Sequence, residues 1–212
     1  GKTRTLTHRV AHLIAERHVP AWRILAVTFT NKAAGELRER LERLLAGGEP
    51  PWVSTFHSAC VRILRREIEV LGYSRDFVIY DDQDQERVIK DCLRDLDIDE
   101  QQVTARAVAS AIDSAKNRGI PPERYDTSDP WHERMAQLYA RYEEKMRRAN
   151  ALDFGDLLLM TVRLFEQHEE ILQRWSDRFS HIQVDEYQDT NRVQYRLTTL
   201  LAAQHRSQSV DD

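Results

Sequence analysis

The chain has 212 residues, enough for one large domain or two small ones. Hydrophobic residues at 41% and charged residues at 31% fit a globular core, and no run nears the roughly 20 apolar residues that span a bilayer; with no export signal at the start either, a cytoplasmic chain that engages no membrane is expected. The net charge of -4 points to no polyanionic partner, and the distant pair Cys60 and Cys92 excludes a disulfide framework or a Cys-rich metal site.

In chain order, Leu6, Val10, Leu13 and Ile14 recur at helical spacing from Thr3 to about Glu16. Ile24 to Phe29 is a nearly all-apolar run, as a buried parallel strand reads. Thr30 or Asn31 can cap the next helix, whose apolar face is Ala34, Leu37, Leu41, Leu44 and Leu45. Trp52 to Phe56 reads as a second strand, and Cys60, Leu64, Ile68 and Leu71 line a further helix. Residues 1–75 hold 13 Lys/Arg against 7 Asp/Glu, a net of +6, so the remainder carries -10 and the basic first third could face phosphates.

From about residue 76 to 175 helical patterns dominate: Gln85 to Leu96, Ala105 to Lys116, His132 to Arg148 and Phe154 to Phe165. Only Phe77 to Tyr80 there could be a strand. Ile182 to Val184 reads as a strand again and Val193 to Ala203 as a helix. Strand–helix alternation interrupted by helices predicts an α/β fold with a parallel sheet and a helical insertion. The expected division is 1–59 and 166–212 for the α/β domain and 60–165 for an all-helical insertion.

Gly1-Lys2-Thr3 running into a helix matches the end of a phosphate-binding loop, where helix N–H groups and lysine meet phosphates and a threonine hydroxyl meets Mg²⁺. Three residues alone are weak. Asp185-Glu186, at the end of a short apolar strand, supplies the second acidic site such an ATPase needs: one carboxylate for the metal and one for the attacking water. A polar strand end capping the next helix is the bland alternative. Other candidates carry less. His8 and His12 lie one turn apart but have no third ligand nearby. Asp81-Asp82-Gln83-Asp84 lacks the glycine and glutamate of a calcium loop and reads as a helix start. Arg62, Arg65 and Arg66 are either phosphate contacts or a solvated face, and Trp131 and Trp175 read as packing residues.

Several segments, in order, resemble the UvrD/PcrA/Rep family of superfamily 1 DNA helicases. Val184-Asp185-Glu186-Tyr187-Gln188-Asp189-Thr190-Asn191 is similar to the family's motif II. Gly1 to Arg9 resembles motif I, Thr28 to Ala34 motif Ia, and Ser54 to Ser58 motif Ib. Leu152 to Leu158 resembles the Leu-Asp-Phe segment that precedes motif II, and Ala115-Lys116-Asn117 resembles part of the inserted subdomain.

The resemblance implies a RecA-like P-loop NTPase fold and an ATP-dependent DNA helicase or translocase, moving 3′ to 5′ on single-stranded DNA, with ATP and Mg²⁺ as cofactors. Gly1, Lys2, Thr3 and Arg4 would bind nucleotide, and Thr3 and Asp185 the metal. Glu186 would be the catalytic base, with Lys2, Asp185 and Gln188 completing the catalytic set. Thr28, Phe29, Asn31, Thr55 and His57 would line the DNA path. Implied partners are single-stranded DNA, single-strand/duplex junctions, and proteins of DNA repair or replication. The chain lacks the front of the phosphate loop and the second RecA-like domain, so both ends are expected to be cuts in a longer protein and these residues alone to be inactive. Where the family places an apolar strand, Gln204 to Asp212 is polar. The alternatives are a motor subunit of a recombination helicase–nuclease complex and a non-catalytic DNA-binding module.

Overall fold

A computed structural model describes residues 2–46 and 48–207, with side chains described for 4–46 and 48–203. It divides into two compact units. The first holds residues through Arg62, Val162–Thr190 and those from Gln194 on; the second holds Ile63–Thr161 and Asn191–Val193.

The first unit is built on a parallel three-stranded sheet in the order β2-β1-β5, with β1 Ile24–Thr28, β2 Trp52–Thr55 and β5 His181–Val184. Every residue of central β1 is buried, which is why it reads as an apolar run with no alternation. Helices α1 (Lys2–Ala15) and α2 (Asn31–Leu44) contribute Val10, Ala34, Leu37 and Leu41 to one core with Ile24, Ala26 and Val53. Edge strand β2 is covered in part by Arg38, whose Nη2 donates to the Val53 carbonyl at 3.0 Å. Near the start of β2, Trp52 lies 6.0 Å from Trp175 and 5.3 Å from Phe179 between ring centroids. These last two belong to or follow α8 (Glu169–Arg178), a helix that the sequence reading passed over.

The second unit is mainly helical. Its α4 (Asp82–Asp95), α5 (Ala105–Asn117) and α6 (Pro130–Arg148) enclose a core that includes Ile89, Leu93, Val108, Ile112, Leu138, Tyr139 and Tyr142. It is not all helix, as the sequence had suggested: β3 (Val78–Ile79) pairs in parallel with β4 (Ala151–Leu152). Residues 151–152 were invisible as a strand because two residues are too few to show a period. Asp81 starts α4 with a reciprocal capping box to Asp84, as the helix-start reading of that acidic run requires. Trp131 departs from its packing assignment: it is 47% exposed in the first turn of α6, whereas Trp175 is buried.

The remaining helices are α3 (Phe56–Glu67), α7 (Phe154–Gln167) and α9 (Arg192–Ser207). No helix among the described residues is long and apolar enough to cross a membrane.

Candidate functional site

The three parallel strands end on one line. Thr28 of β1 is in register with Thr55 of β2, Val27 with Val184 of β5, and the Asp185 amide donates to the Val27 carbonyl at 2.9 Å. Thr28, Thr55 and Asp185 therefore stand side by side at the carboxyl edge, about 4.8 Å from strand to strand. All three are buried. Central β1 has β2 on one side and β5 on the other, and all three strands run parallel, so their carboxyl ends share this edge. Open α/β sheets bind ligands outside the carboxyl ends of their strands.

Each strand end is fixed locally. Thr28 Oγ1 donates to the Thr30 carbonyl at 3.1 Å, and Thr30 Oγ1 accepts from the Ala33 amide at 3.1 Å. Thr30 is thus the cap of α2, while Asn31 is an exposed first-turn residue. Phe29, half-buried, sets its ring 5.6 Å from that of buried Phe56. Strand β2 passes into α3 without a loop. Thr55 Oγ1 accepts from the Ser58 amide at 3.2 Å and donates to Ser58 Oγ at 2.9 Å. His57, half-buried in the first turn of α3, has its pKa lowered by burial, which favours the neutral ring.

After β5 the chain turns sharply. Glu186 has φ 49° and ψ 46°, the left-handed conformation that costs a side-chain-bearing residue about 1–2 kcal/mol. Gln188 Nε2 donates to Glu186 Oε2. The Asp189 amide donates to the Glu186 carbonyl at 2.8 Å, and Thr190 Oγ1 to the Tyr187 carbonyl at 2.8 Å. Strain is held at a carboxylate beside the sheet edge, in a segment stiffened by its own bonds. Along β5 and α9, a cleft of about 440 Å³ is lined by Ile182, Val184, Tyr187, Tyr195 and Thr198, among others.

The structure brings Thr28, Phe29, Asn31, Thr55, His57, Asp185, Glu186 and Gln188 to or just beyond one sheet edge. Gly1 lies outside the described residues, as do the side chains of Lys2 and Thr3. Arg4 is exposed in the first turn of α1.

Two arginines after β2 make aromatic contacts that the sequence did not show, with Arg62 exposed and Arg65 partly buried. The Arg62 guanidinium sits over the Trp52 ring at 4.3 Å and that of Arg65 over Phe77 at 3.8 Å, as Arg geometry suits.

Sequence reasoning also missed a buried ionic cluster in the second unit. Lys116 Nζ lies 2.7 Å from Glu143 Oε1, 2.7 Å from Asp153 Oδ2 and 2.6 Å from Asp156 Oδ1. The Tyr142 hydroxyl donates to Asp153 Oδ2 at 2.9 Å. Asp153 and Asp156 cap the start of α7 reciprocally, through amide–carboxylate bonds of 3.1 and 2.8 Å. Gly155 is required here, because a Cβ on it would fall 2.9 Å from Lys116 Cδ. The three carboxylates have the spacing of a cation site, and the lysine ammonium is the cation. Burial would lower the Lys116 pKa, but the charges of Asp156, Asp153 and Glu143 outweigh it and raise it well above normal. A readable signal existed: Lys116 falls on the apolar stripe of Val108 and Ile112, four and eight residues on.

Against known proteins, the family profile described as the UvrD/REP helicase N-terminal domain matches residues 1–210. Relatives called ATP-dependent DNA helicase PcrA align along nearly the whole chain. The protein of Bacillus subtilis (strain 168) is 46% identical over 205 residues, covering 95% of this chain and 28% of its own. That of Staphylococcus aureus (strain Mu50) is 44% identical over 210 residues, covering 98% and 29%. That of Leuconostoc citreum is 42% identical over 214 residues, covering 99% and 29%. The chain spans less than a third of the length of these relatives.

Proposed function

This chain belongs to the UvrD/REP helicase N-terminal domain family, and from that premise we propose that it carries the ATP-hydrolysing and DNA-gripping part of an ATP-dependent DNA helicase that moves 3′ to 5′ on single-stranded DNA. Single-strand/duplex junctions are its substrates, in DNA repair or replication. The observation that carries this reading is the common sheet edge of Thr28, Thr55 and Asp185, because it sets the acidic segment beside the segments assigned to DNA.

Residues 1–4 take the triphosphate and adenine: Lys2 and Thr3 the phosphates and metal, Arg4 the base by stacking its planar guanidinium. Asp185 suits Mg²⁺, being a hard oxygen donor that is 7% exposed and whose amide is tied into the sheet. Asp185 and the Thr3 hydroxyl would hold Mg²⁺, which when bound would supply charge neutralisation at the phosphate oxygens. Glu186 orients the attacking water and takes its proton. Gln188, bonded to Glu186, senses the γ-phosphate side. The exposed part of Phe29 stacks on a base, a contact blind to sequence because every base has a π-face. Asn31 and His57 line the strand's path, with Thr28 and Thr55 buried just behind it and holding the turns that present them, and a neutral His57 serves as a donor or acceptor to a base or sugar.

The test is Glu186→Gln in the whole protein. DNA-stimulated ATP turnover should fall by roughly 10²- to 10⁴-fold while ATP affinity is kept. Unchanged turnover would remove Glu186 as the base. The 212 residues alone should neither unwind DNA nor hydrolyse ATP appreciably, and strand displacement by them would overturn that part of the reading.

A further inference from the structure

Two of the segments singled out in the sequence have no part in the site above, and they meet each other. Ala115-Lys116-Asn117 closes α5, and Leu152 to Leu158 opens α7. Their meeting point is the Lys116 cluster, in which α5 is tied to Glu143 of α6 and to Asp153 and Asp156 at the start of α7. The residue after Lys116 is exposed Asn117, and its Oδ1 accepts from Asn191 Nδ2 at 2.9 Å.

Asn191 is where the acidic segment ends. Residues Asn191–Val193 belong to the helical unit, although the chain up to Thr190 and from Gln194 on belongs to the sheet unit. The α5 end touches this stretch again at Gly119, whose φ of +73° requires glycine and where a Cβ would lie 3.6 Å from Val193 Cγ2. The segment from Asp185 to Asn191 is therefore held at both ends. Its entry is fixed by the Asp185 amide on the Val27 carbonyl of β1, and its exit by Asn191 on Asn117 of α5. Between them lie Glu186, in its left-handed conformation, and Gln188, bonded to it.

We propose that Asn117 is a positioning residue: anchored by the buried Lys116 cluster, it holds Asn191 and so fixes the conformation in which Glu186 and Gln188 are presented. It touches no reacting atom. This role rests on the reading of Glu186 and Gln188 given above.

Asn117→Ala, Asn117→Asp and Asn191→Ala, with the double alanine variant, would be made in the whole protein. Steady-state ATPase would be measured with saturating oligo(dT), oligo(dT) affinity by fluorescence anisotropy, and backbone hydrogen exchange over residues 186–190 without nucleotide. Asn117→Ala should lower kcat by about 3- to 30-fold, the range of coupling through a packed network, leaving the KM for ATP and the DNA affinity within about twofold. The double variant should be no worse than Asn191→Ala alone, because that substitution already removes the Asn117–Asn191 bond. Asn117→Asp keeps the acceptor and should return kcat to near wild type, a rescue that a purely structural role would not produce. Amides 186–190 should exchange faster in Asn117→Ala and not in Asn117→Asp. Wild-type kcat and exchange in Asn117→Ala, additive losses in the double variant, or equal losses in the Ala and Asp variants would each overturn the proposal. A wild-type protein without DNA-stimulated ATPase would instead defeat the functional reading, and the exchange comparison would still decide the positioning role.

Discussion

Lys116 Nζ lies 2.6 Å from Asp156 Oδ1 and 2.7 Å from both Glu143 Oε1 and Asp153 Oδ2, so one fully buried ammonium serves three carboxyl groups. Removing the cation leaves that acidic group uncompensated in the interior. Lys116→Met, close in length and apolar, should therefore destabilise the protein by about 3–5 kcal/mol, the cost of breaking a buried ion pair from one side. Urea titration reads the loss, and a variant within about 1 kcal/mol of wild type would show that packing alone holds α5, α6 and α7 together.

The cluster also sets a pH dependence. Burial, then the charges of Asp153 and Glu143, raise the Asp156 pKa well above the carboxylate range, and burial raises that of Glu143. Such groups bind protons more tightly folded than unfolded. Their contribution is full below the unfolded value near about 4 and is lost as pH rises through the folded value. Asp153 runs the other way. Burial pushes it up, but the Lys116 charge and three hydrogen bonds prevail, so its contribution is lost in acid. Asp156→Asn fixes the neutral form. The stability of wild type minus that of Asp156→Asn should fall in paired urea titrations as pH rises from the unfolded carboxylate value toward the raised folded one. A difference that stayed level or grew would mean that Asp156 is ionised in the folded protein.

Glu186 separates chemistry from stability. Its φ of 49° suits glycine better than any L side chain. Glu186→Gly should be more stable than Glu186→Ala by about 1 kcal/mol, while both lose DNA-stimulated ATP turnover to a similar degree. Thermal unfolding ranks the two, and equal stabilities would show that the turn relaxes to an ordinary conformation once the carboxylate is gone.

Phe29 is half-buried against Phe56 and keeps part of its ring accessible. Phe29→Ala should weaken single-stranded DNA binding by about 1–3 kcal/mol, roughly 5- to 150-fold, to similar degrees on oligo(dT) and mixed sequences. Phe29→Trp should bind near wild type. A loss confined to one base composition would point to edge readout instead of stacking.

Several elements were legible along the chain alone. An apolar run as short as Ile24 to Phe29 reads as a strand buried on both faces, and the structure puts β1 at the centre of the sheet. Asp185-Glu186 was legible as a strand-end acidic pair because a short apolar run ends there, and helices α4 to α7 were legible from their periodic faces. Those signals are local, set by spacing along one element.

What needed tertiary structure was contact between elements. The alignment of Thr28, Thr55 and Asp185 depends on strand register over separations as large as 157 residues, which no periodicity encodes. The cap at Thr30 and not Asn31 was decided by backbone torsion, and the aromatic seats of Arg62 and Arg65 by rings that arrive from elsewhere in the chain. The lysine cluster is the clearest case. Lys116, Glu143, Asp153 and Asp156 are ordinary charged residues along the chain, each solvated at little cost in the unfolded state. Only folding brings them together, because burial makes each charge expensive unless the others are within about 3 Å.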